Sequence, residues 1–187
     1  MSVDTAKATG YAFGPATVSY DERDSMLYSL SIGCAAAGPS DPSELKFVYE
    51  GSPEGFVAFP TMAVTWPSSI MMGGIMNGIP GLEFNPMMLL HGEQYLHVCR
   101  PIPTKGRITN KGRVKGVYDK GSGALLLIEC TTTCADTGVV LAQNEASLFI
   151  RGIGGFGGDK GPKPEDNTPP KRAPDAVVTE KTAANQV

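Results

Sequence analysis

The second half of the chain alternates short apolar runs with glycine-containing turns. The runs predict four strands, over residues 88–99, 106–118, 124–134 and 139–151. The third run, Ala-Leu-Leu-Leu-Ile-Glu-Cys, is apolar on both faces, which is typical of a central strand. Asp119-Lys-Gly-Ser-Gly and Asp136-Thr-Gly separate consecutive runs and are typical of hairpin loops. The pattern therefore predicts a mainly antiparallel sheet.

The first half of the chain has a helical period instead. Apolar residues recur three or four positions apart between Met26 and Ala37, which predicts an amphipathic helix over 21–37. Ser19 is the candidate N-cap, and the acidic residues 21, 22 and 24 are interpreted as first-turn charges rather than as a catalytic pair. We also expect an irregular start over 1–14, a short strand over 46–50, and a short helix followed by a loop over 59–76. A helix on one face of an antiparallel sheet defines the α+β class.

The strand candidate 88–99 breaks its own apolar pattern. Its centre holds His91, Gly92, Glu93 and Gln94, where a buried strand would carry apolar residues. Regular alternation would place the odd-numbered residues 91–97 on one face and the even-numbered ones on the other. A polar interruption of this kind is a candidate functional site. Residues 91 and 97 lie roughly 20 Å apart along an extended strand, so their imidazoles cannot share one ion and no metal site is predicted.

Composition narrows the classes of function. The 187 residues suffice for one domain with a buried core, and 41% hydrophobic and 19% charged residues are ordinary for a globular chain. A formal net charge of −3 gives no electrostatic reason to expect nucleic acid as a partner. No apolar run approaches the roughly 20 residues of a membrane span, and the first residues lack the apolar core of a secretory signal. The four cysteines form no CxxC pair and are interpreted as reduced thiols.

From residue 152 onward, glycine and then proline and charged residues replace the apolar runs. We therefore expect a domain over 1–151 and a flexible, partly extended linker over 152–187. The linker begins Gly-Ile-Gly-Gly-Phe-Gly, which matches the GxGxxG pattern of a dinucleotide-binding loop. That loop must open a helix within a βαβ unit, and the continuation Gly-Asp-Lys-Gly-Pro-Lys-Pro cannot form one. A nucleotide-phosphate loop is therefore rejected.

Several separate motifs, in order along the chain, resemble one known family. They are Leu-Leu-His-Gly-Glu-Gln-Tyr-Leu at 89–96, Asp-Lys-Gly-Ser-Gly at 119–123, Ser-Leu-Phe-Ile-Arg-Gly-Ile-Gly-Gly-Phe-Gly-Gly at 147–158 and Pro-Asp-Ala-Val-Val at 174–178. Together they are similar to the N-terminal half of (3R)-enoyl-CoA hydratase 2. This enzyme is the hydratase part of peroxisomal multifunctional enzyme type 2, in the MaoC-like hot-dog superfamily.

The resemblance implies a double hot-dog fold, with two repeats that each curl an antiparallel sheet around a helix. It implies that the first repeat binds the acyl tail and part of CoA. An Asp/His pair in a Gly-Asp-x-Asn-Pro-x-His segment of the second repeat would activate water. No Asn-Pro-x-His segment occurs in these 187 residues, so we expect no catalytic residue here and a C-terminal hydratase repeat as partner. The resemblance implies no cofactor beyond the CoA thioester substrate, and it implies a peroxisomal location, or otherwise a cytoplasmic one.

By motif, the family's substrate contacts carry over onto His91, Gly92 and Lys120. A ring N–H and an unobstructed backbone at 91 and 92 suit a thioester carbonyl. Lys120 offers a flexible ammonium to a CoA phosphate, although a solvated turn lysine has the same sequence signature. A further apolar set is interpreted as ordinary core or as an adaptable acyl tunnel: Trp66, Ile70, Met71, Met72, Ile75 and Met76.

Three functions therefore stay open on the sequence. The first is the acyl-CoA-binding half of a (3R)-specific 2-enoyl-CoA hydratase of fatty acid β-oxidation, inactive on its own. The second is a non-catalytic hot-dog module that self-associates to cover its sheet edge and binds acyl-CoA or a protein partner. The third is a hot-dog thioesterase, which needs a carboxylate beside the thioester, and Glu93 is its candidate.

Overall fold

Five strands form one antiparallel sheet in the order β1-β3-β4-β5-β2. The structure is a computed structural model that describes residues 3–36, 38, 41–163, 167–179 and 181–182. The strands are β1 Ala16–Tyr20, β2 Leu89–Val98, β3 Gly106–Asp119, β4 Gly123–Cys134 and β5 Val140–Arg151. The four strands predicted from the second half of the chain are confirmed, each end within one residue of its expected position.

The helices precede β2 in the chain. They are α1 Thr5–Ala8, α2 Glu22–Ser31, α3 Pro42–Val48 and α4 Ser68–Asn77, with a 3-10 helix at Pro60–Val64 and a 3-10 turn at Pro86–Met88. In the part of the chain that the structure describes, no helix is both long enough and apolar enough to cross a bilayer.

The main core lies between α4 and one face of the sheet. Ile75 of α4 packs in one cluster with Val114, Ile128 and Leu148, which come from three neighbouring strands and are almost fully buried. Burial of each such aliphatic side chain contributes about 1.5–3 kcal/mol to folding. The sheet thus curls around α4, as the α+β prediction requires.

Two buried asparagines fix the segment before α4 over the sheet. Asn110 Nδ2 donates to Trp66 O at 2.9 Å, and Asn144 Nδ2 donates to Ala63 O at 3.1 Å. The Thr132 hydroxyl completes the first of these by donating to Asn110 Oδ1 at 2.7 Å. Because buried polar groups are costly unless bonded, these contacts hold the 3-10 helix, and with it α4, at one height above the sheet.

Several predictions for the first half of the chain are wrong. The 46–50 strand lies mostly within a helix, α3, because Asp41 accepts the Ser43 N–H at 2.9 Å and Pro42 supplies the first helical residue. The irregular start contains α1, whose Ala8 is fully buried. The 59–76 stretch forms the 3-10 helix and then α4, so the helical part lasts through Asn77 instead of giving way to a loop.

The predicted helix 21–37 is shorter and packs differently. Its N-cap is Asp21, which accepts the Asp24 N–H at 3.1 Å, whereas Ser19 belongs to β1. The helix ends at Ser31, and Ala37 lies outside the described residues. Its small residues Ser25 and Ser29 are buried while its leucines are half-exposed, so α2 does not cover the sheet.

Candidate substrate-binding site

A wide groove crosses the sheet face that points away from α4. Leu126 and Leu148 face the core, so their neighbours Leu127 and Phe149 project to the opposite face, where they line the groove. The groove has a volume of about 1100 Å³, and residues 92–95 of the edge strand β2 line it together with Lys120. An apolar floor with a few convergent polar groups suits a ligand that carries both an acyl chain and charged groups.

A β-bulge at Gly92 shapes the edge of this groove. His91 lies opposite Leu148 and Glu93 lies opposite Ser147, so β2 has one residue more than β5 at this point. The extra residue reverses the alternation, and the prediction that residues 91 and 93 share a face is wrong. A Cβ on Gly92 would lie only 3.2 Å from Ser147 O, a tight contact that favours glycine here.

His91 lies on the helix-facing side of the edge strand and is exposed. Its Nε2 is 3.1 Å from Gln94 Oε1, and the Gln94 amide donates to Asn144 Oδ1 at 3.3 Å. Asn144 in turn holds the 3-10 helix, so a chain of side-chain bonds orients the imidazole. His91 therefore belongs to the rim of the sheet edge, not to the floor of the groove.

Lys120 reaches the groove from the loop between β3 and β4. Its backbone N–H donates to Gly123 O at 2.9 Å, closing a tight hairpin. Its ammonium donates to Pro162 O at 3.0 Å, which leaves two N–H donors for a ligand. Of the three predicted substrate contacts, Gly92 and Lys120 thus line one groove and His91 flanks it. Their contact with substrate stays a prediction.

The groove carries charges of both signs. Lys115, Lys120 and Lys163 line it, and so do Glu93 and Glu145. Lys115 bonds Glu145, and this hydrogen bond raises the pKa of the lysine. Glu93, the thioesterase candidate, has its side chain exposed on this rim. Among the residues described, no three His, Cys, Asp or Glu side chains come close enough to hold a metal ion.

The apolar set proposed for an acyl tunnel divides between core and surface. Trp66, Ile70 and Ile75 are buried, whereas Met72 and Met76 are 58% and 68% exposed. Half of the set is therefore ordinary core, and Met71 packs against it.

Sequence reasoning missed Asp119, which lies beside the lysine of the groove. The buried Asp119 carboxylate accepts backbone N–H groups from Gly121 and from Gly155, each at 2.8 Å. The hydrogen bonds from the backbone N–H groups of Gly155 and then Gly121 hold the pKa of Asp119 below its usual range. An aspartate two residues before a glycine is a known turn signature, but the contact with Gly155 spans 36 residues and leaves no local pattern.

A five-stranded antiparallel sheet curled around one helix defines the hot-dog class, and solved structures agree. The MaoC-like dehydratase of Phytophthora capsici matches with a TM-score of 0.75 and 31% identity, over 93% of this chain and 59% of that one. The full-length peroxisomal multifunctional enzyme type 2 of Drosophila melanogaster matches with a TM-score of 0.69 and 27% identity, over 94% of this chain and 29% of that one.

The chain belongs to the family of MFE-2 hydratase 2 N-terminal domains, whose family model matches residues 18–152. A relative described as a probable enoyl-CoA hydratase 2, from Dictyostelium discoideum, is 42% identical over 187 residues, which is 100% of this chain and 61% of the relative. The chain thus spans less than two thirds of that relative's length. The family expected from the sequence motifs is confirmed.

Proposed function

We propose that this chain is the acyl-CoA-binding, N-terminal half of a (3R)-specific 2-enoyl-CoA hydratase. Such an enzyme hydrates trans-2-enoyl-CoA to (3R)-3-hydroxyacyl-CoA in fatty acid β-oxidation. The observation that carries the proposal is the groove that brings Gly92 and Lys120 together in a member of the hydratase 2 N-terminal family. The similarity to a peroxisomal enzyme of Drosophila supports a peroxisomal location.

The geometry suggests how the groove takes its ligand. The Lys120 ammonium, with two free N–H donors, pairs with a CoA phosphate, and the bare backbone at Gly92 allows the thioester arm to approach β2 closely. His91 lies on the other side of the same strand, so an arm that passes over the edge at the bulge meets the imidazole next. Leu127 and Phe149 supply apolar surface along the way.

Catalysis on this proposal belongs to a second repeat that docks against the exposed edge of β2. This strand is the last in the sheet, and two of its large apolar residues are open to solvent: Tyr95 is 63% exposed and Leu90 is 45% exposed. Proteins normally cover such an edge, since unpaired strands recruit other chains. The second repeat would bring the Gly-Asp-x-Asn-Pro-x-His segment to the thioester held at His91 and Gly92.

Binding of crotonyl-CoA to the 187-residue chain, measured by isothermal titration calorimetry, tests the groove. We expect saturable binding that Lys120→Ala weakens roughly three- to tenfold, because one charge-assisted bond to phosphate is lost. Lys105→Ala is the matched control, since Lys105 pairs with Glu22 and does not line the groove. Absence of binding by the unmodified chain would contradict the proposal.

A hydration assay tests the proposal that this half binds the substrate and the second repeat carries out catalysis. The chain alone should not hydrate crotonyl-CoA. When a polypeptide that contains the second repeat, with its Gly-Asp-x-Asn-Pro-x-His segment, is added, hydration should begin and the absorbance of the enoyl group should fall. Hydration by the chain alone would contradict this part of the proposal. Light scattering distinguishes the alternative of a self-associating binding module, because a clean monomer that binds crotonyl-CoA rules that module out.

A further inference from the structure

The glycine-rich segment, residues 152–162, begins with the GxGxxG match. Its backbone N–H groups bind an anionic group of this chain, the side-chain carboxylate of Asp119. Asp119, the last residue of β3, is 8% exposed. Its Oδ1 accepts the N–H of Gly121 and the N–H of Gly155, each at 2.8 Å, and its Oδ2 accepts the N–H of Gly157 at 2.7 Å. Both carboxylate oxygens are thus used by backbone donors, and none of these bonds is part of the groove described above.

The two segments joined by this carboxylate also touch directly. Gly155 and Gly157 have φ angles of +78° and +77°, left-handed conformations that let neighbouring N–H groups converge on one anion. A Cβ on Gly154 would collide with Gly121 O, so the segment lies flat on the hairpin loop. The Asp119 N–H donates to Asp159 O at 2.7 Å, and the Gly152 N–H donates to Ser122 O at 3.0 Å. Residues 152–159 are therefore seated on the loop at several points.

The contact between the loop and the glycine-rich segment also affects Lys120. The lysine follows Asp119 directly, and its ammonium donates to Pro162 O of the same segment. The lysine is therefore held at two places, by the hairpin at its backbone and by the seated segment at its ammonium. A lysine side chain loses rotamer entropy when it binds a ligand, and a pre-positioned one loses less.

We propose that Asp119 is a positioning residue of the CoA site: its carboxylate holds the glycine-rich segment against the β3–β4 loop and so presents the Lys120 ammonium to the groove. This inference rests on the proposed function. It assigns residues 152–162 to the binding site, where the sequence predicts only a tether. The lowered pKa of Asp119 is consistent with a carboxylate that stays ionised at neutral pH.

A double-mutant cycle tests the inference with the full 187-residue chain and crotonyl-CoA. Asp119→Asn keeps the shape of the side chain but replaces one acceptor oxygen with a donor, so the contact between the glycine-rich segment and the β3–β4 loop weakens. We expect Asp119→Asn alone to weaken Kd roughly two- to tenfold, the range set by ordering one flexible side chain. In the Lys120→Ala background the same substitution should change Kd less than twofold, since there is no ammonium left to position.

Asp136→Asn is the matched control, because Asp136 lies in the other hairpin loop and pairs with Arg107 away from the groove. Gly157→Ala is a second variant that keeps Asp119 itself. It strains one left-handed donor position without meeting any atom within 4 Å, and its effect on Kd should likewise vanish in the Lys120→Ala background. It serves in place of Asp119→Asn if that variant does not fold.

Three outcomes are decisive. Weakening by the single variants that disappears without Lys120 supports the positioning role. Unchanged Kd in a folded Asp119→Asn chain, or weakening that persists fully in the Lys120→Ala background, overturns it while the proposed function stands. Absence of crotonyl-CoA binding by the unmodified chain overturns the proposed function and the positioning role together.

Discussion

The two hairpin loops that flank β4 share a sequence signature but differ in what holds them. Each combines an aspartate with a left-handed glycine, and φ is +76° at Gly121 and +71° at Gly138. The loop after β3 is covered by the glycine-rich segment and bonded to it through a buried carboxylate. In the loop after β4, Asp136 makes a surface ion pair with Arg107 of β3, at 3.3 Å with side chains that are 61% and 60% exposed.

A turn signature therefore fixes only the local backbone. Which turn is anchored depends on a segment more than 30 residues further along, because the N–H groups of Gly155 and Gly157 bond to Asp119 at the first loop. The covered loop is also the one whose lysine lines the groove. The following predictions separate a loop held by distant contacts from an ordinary turn.

The largest effect is expected for Gly154→Ala. A Cβ there would collide with Gly121 O and lie 2.5 Å from Gly123 N, and neither backbone atom can move aside as a flexible side chain could. Forced overpacking of this kind costs about 1–3 kcal/mol, so urea unfolding should show a corresponding drop in the free energy of unfolding. Gly14→Ala is the control, since no atom lies within 4 Å of its Cβ position. Equal stability of the two variants would mean that the segment does not lie on the loop in solution.

A smaller, symmetrical effect is expected for Gly121→Ala and Gly138→Ala. Both residues are left-handed and neither substitution meets an atom within 4 Å, so each should cost roughly 1–2 kcal/mol of backbone strain. Affinity for crotonyl-CoA should distinguish them, because only the first loop carries Lys120. Unfolding curves and calorimetry on the same two samples check both statements. A loss of affinity in Gly138→Ala as large as in Gly121→Ala would contradict the assignment of the groove.

The sequence was sufficient for the sheet because its signals there are local. Residues 124–130 are apolar on both faces, and glycines mark the hairpin loops, so both ends of all four strands could be predicted within one residue. β1, Ala-Thr-Val-Ser-Tyr, alternates apolar and polar residues, but this edge strand has only five residues and its Ser19 also suits the N-cap of the helix that follows. α3 was missed because its start signal, the N-cap Asp41 followed by Pro42, lies before the 46–50 stretch for which a strand is expected.

Within the candidate site, the residues were easier to predict than their geometry. Motif resemblance selected Gly92 and Lys120, and the structure places both along one groove. The bulge at Gly92 could not be predicted, since one additional residue changes the register without changing the local pattern, and it reverses which face His91 occupies. The hydrogen bonds that Asp119 accepts from Gly155 and Gly157 span 36 and 38 residues, and the periodicity of the sequence carries no signal for contacts at that distance.

Asp119→Asn is expected to lower the free energy of unfolding at neutral pH, and this loss should disappear at acid pH. The N–H groups of Gly155 and Gly121 lower the pKa of Asp119 in the folded chain. A lowered native pKa adds stability above the unfolded-state value, about 3.9, and this stability is lost as pH falls through the native value. The difference in unfolding free energy between wild type and Asp119→Asn should therefore stay constant between about pH 5 and 7 and shrink below about pH 4. Urea unfolding at a series of pH values measures this difference. If the difference persisted unchanged at the lowest pH, the charge of Asp119 would have no part in holding the glycine-rich segment.

The smallest effect is expected for Arg107→Ala, which removes the β3 partner of Asp136 in the other loop. Exposed ion pairs contribute about 0.2–1 kcal/mol and are screened by salt, so the loss should be near the lower end and disappear at about 1 M salt, where the Debye length is about 3 Å. Affinity for crotonyl-CoA should not change, because Arg107 does not line the groove. Unfolding in low and high salt makes the measurement. If Arg107→Ala destabilised the chain as much as Gly154→Ala, the second loop would be as firmly anchored as the first. Contact with a distant segment would then not distinguish the loop that carries Lys120 from the other one.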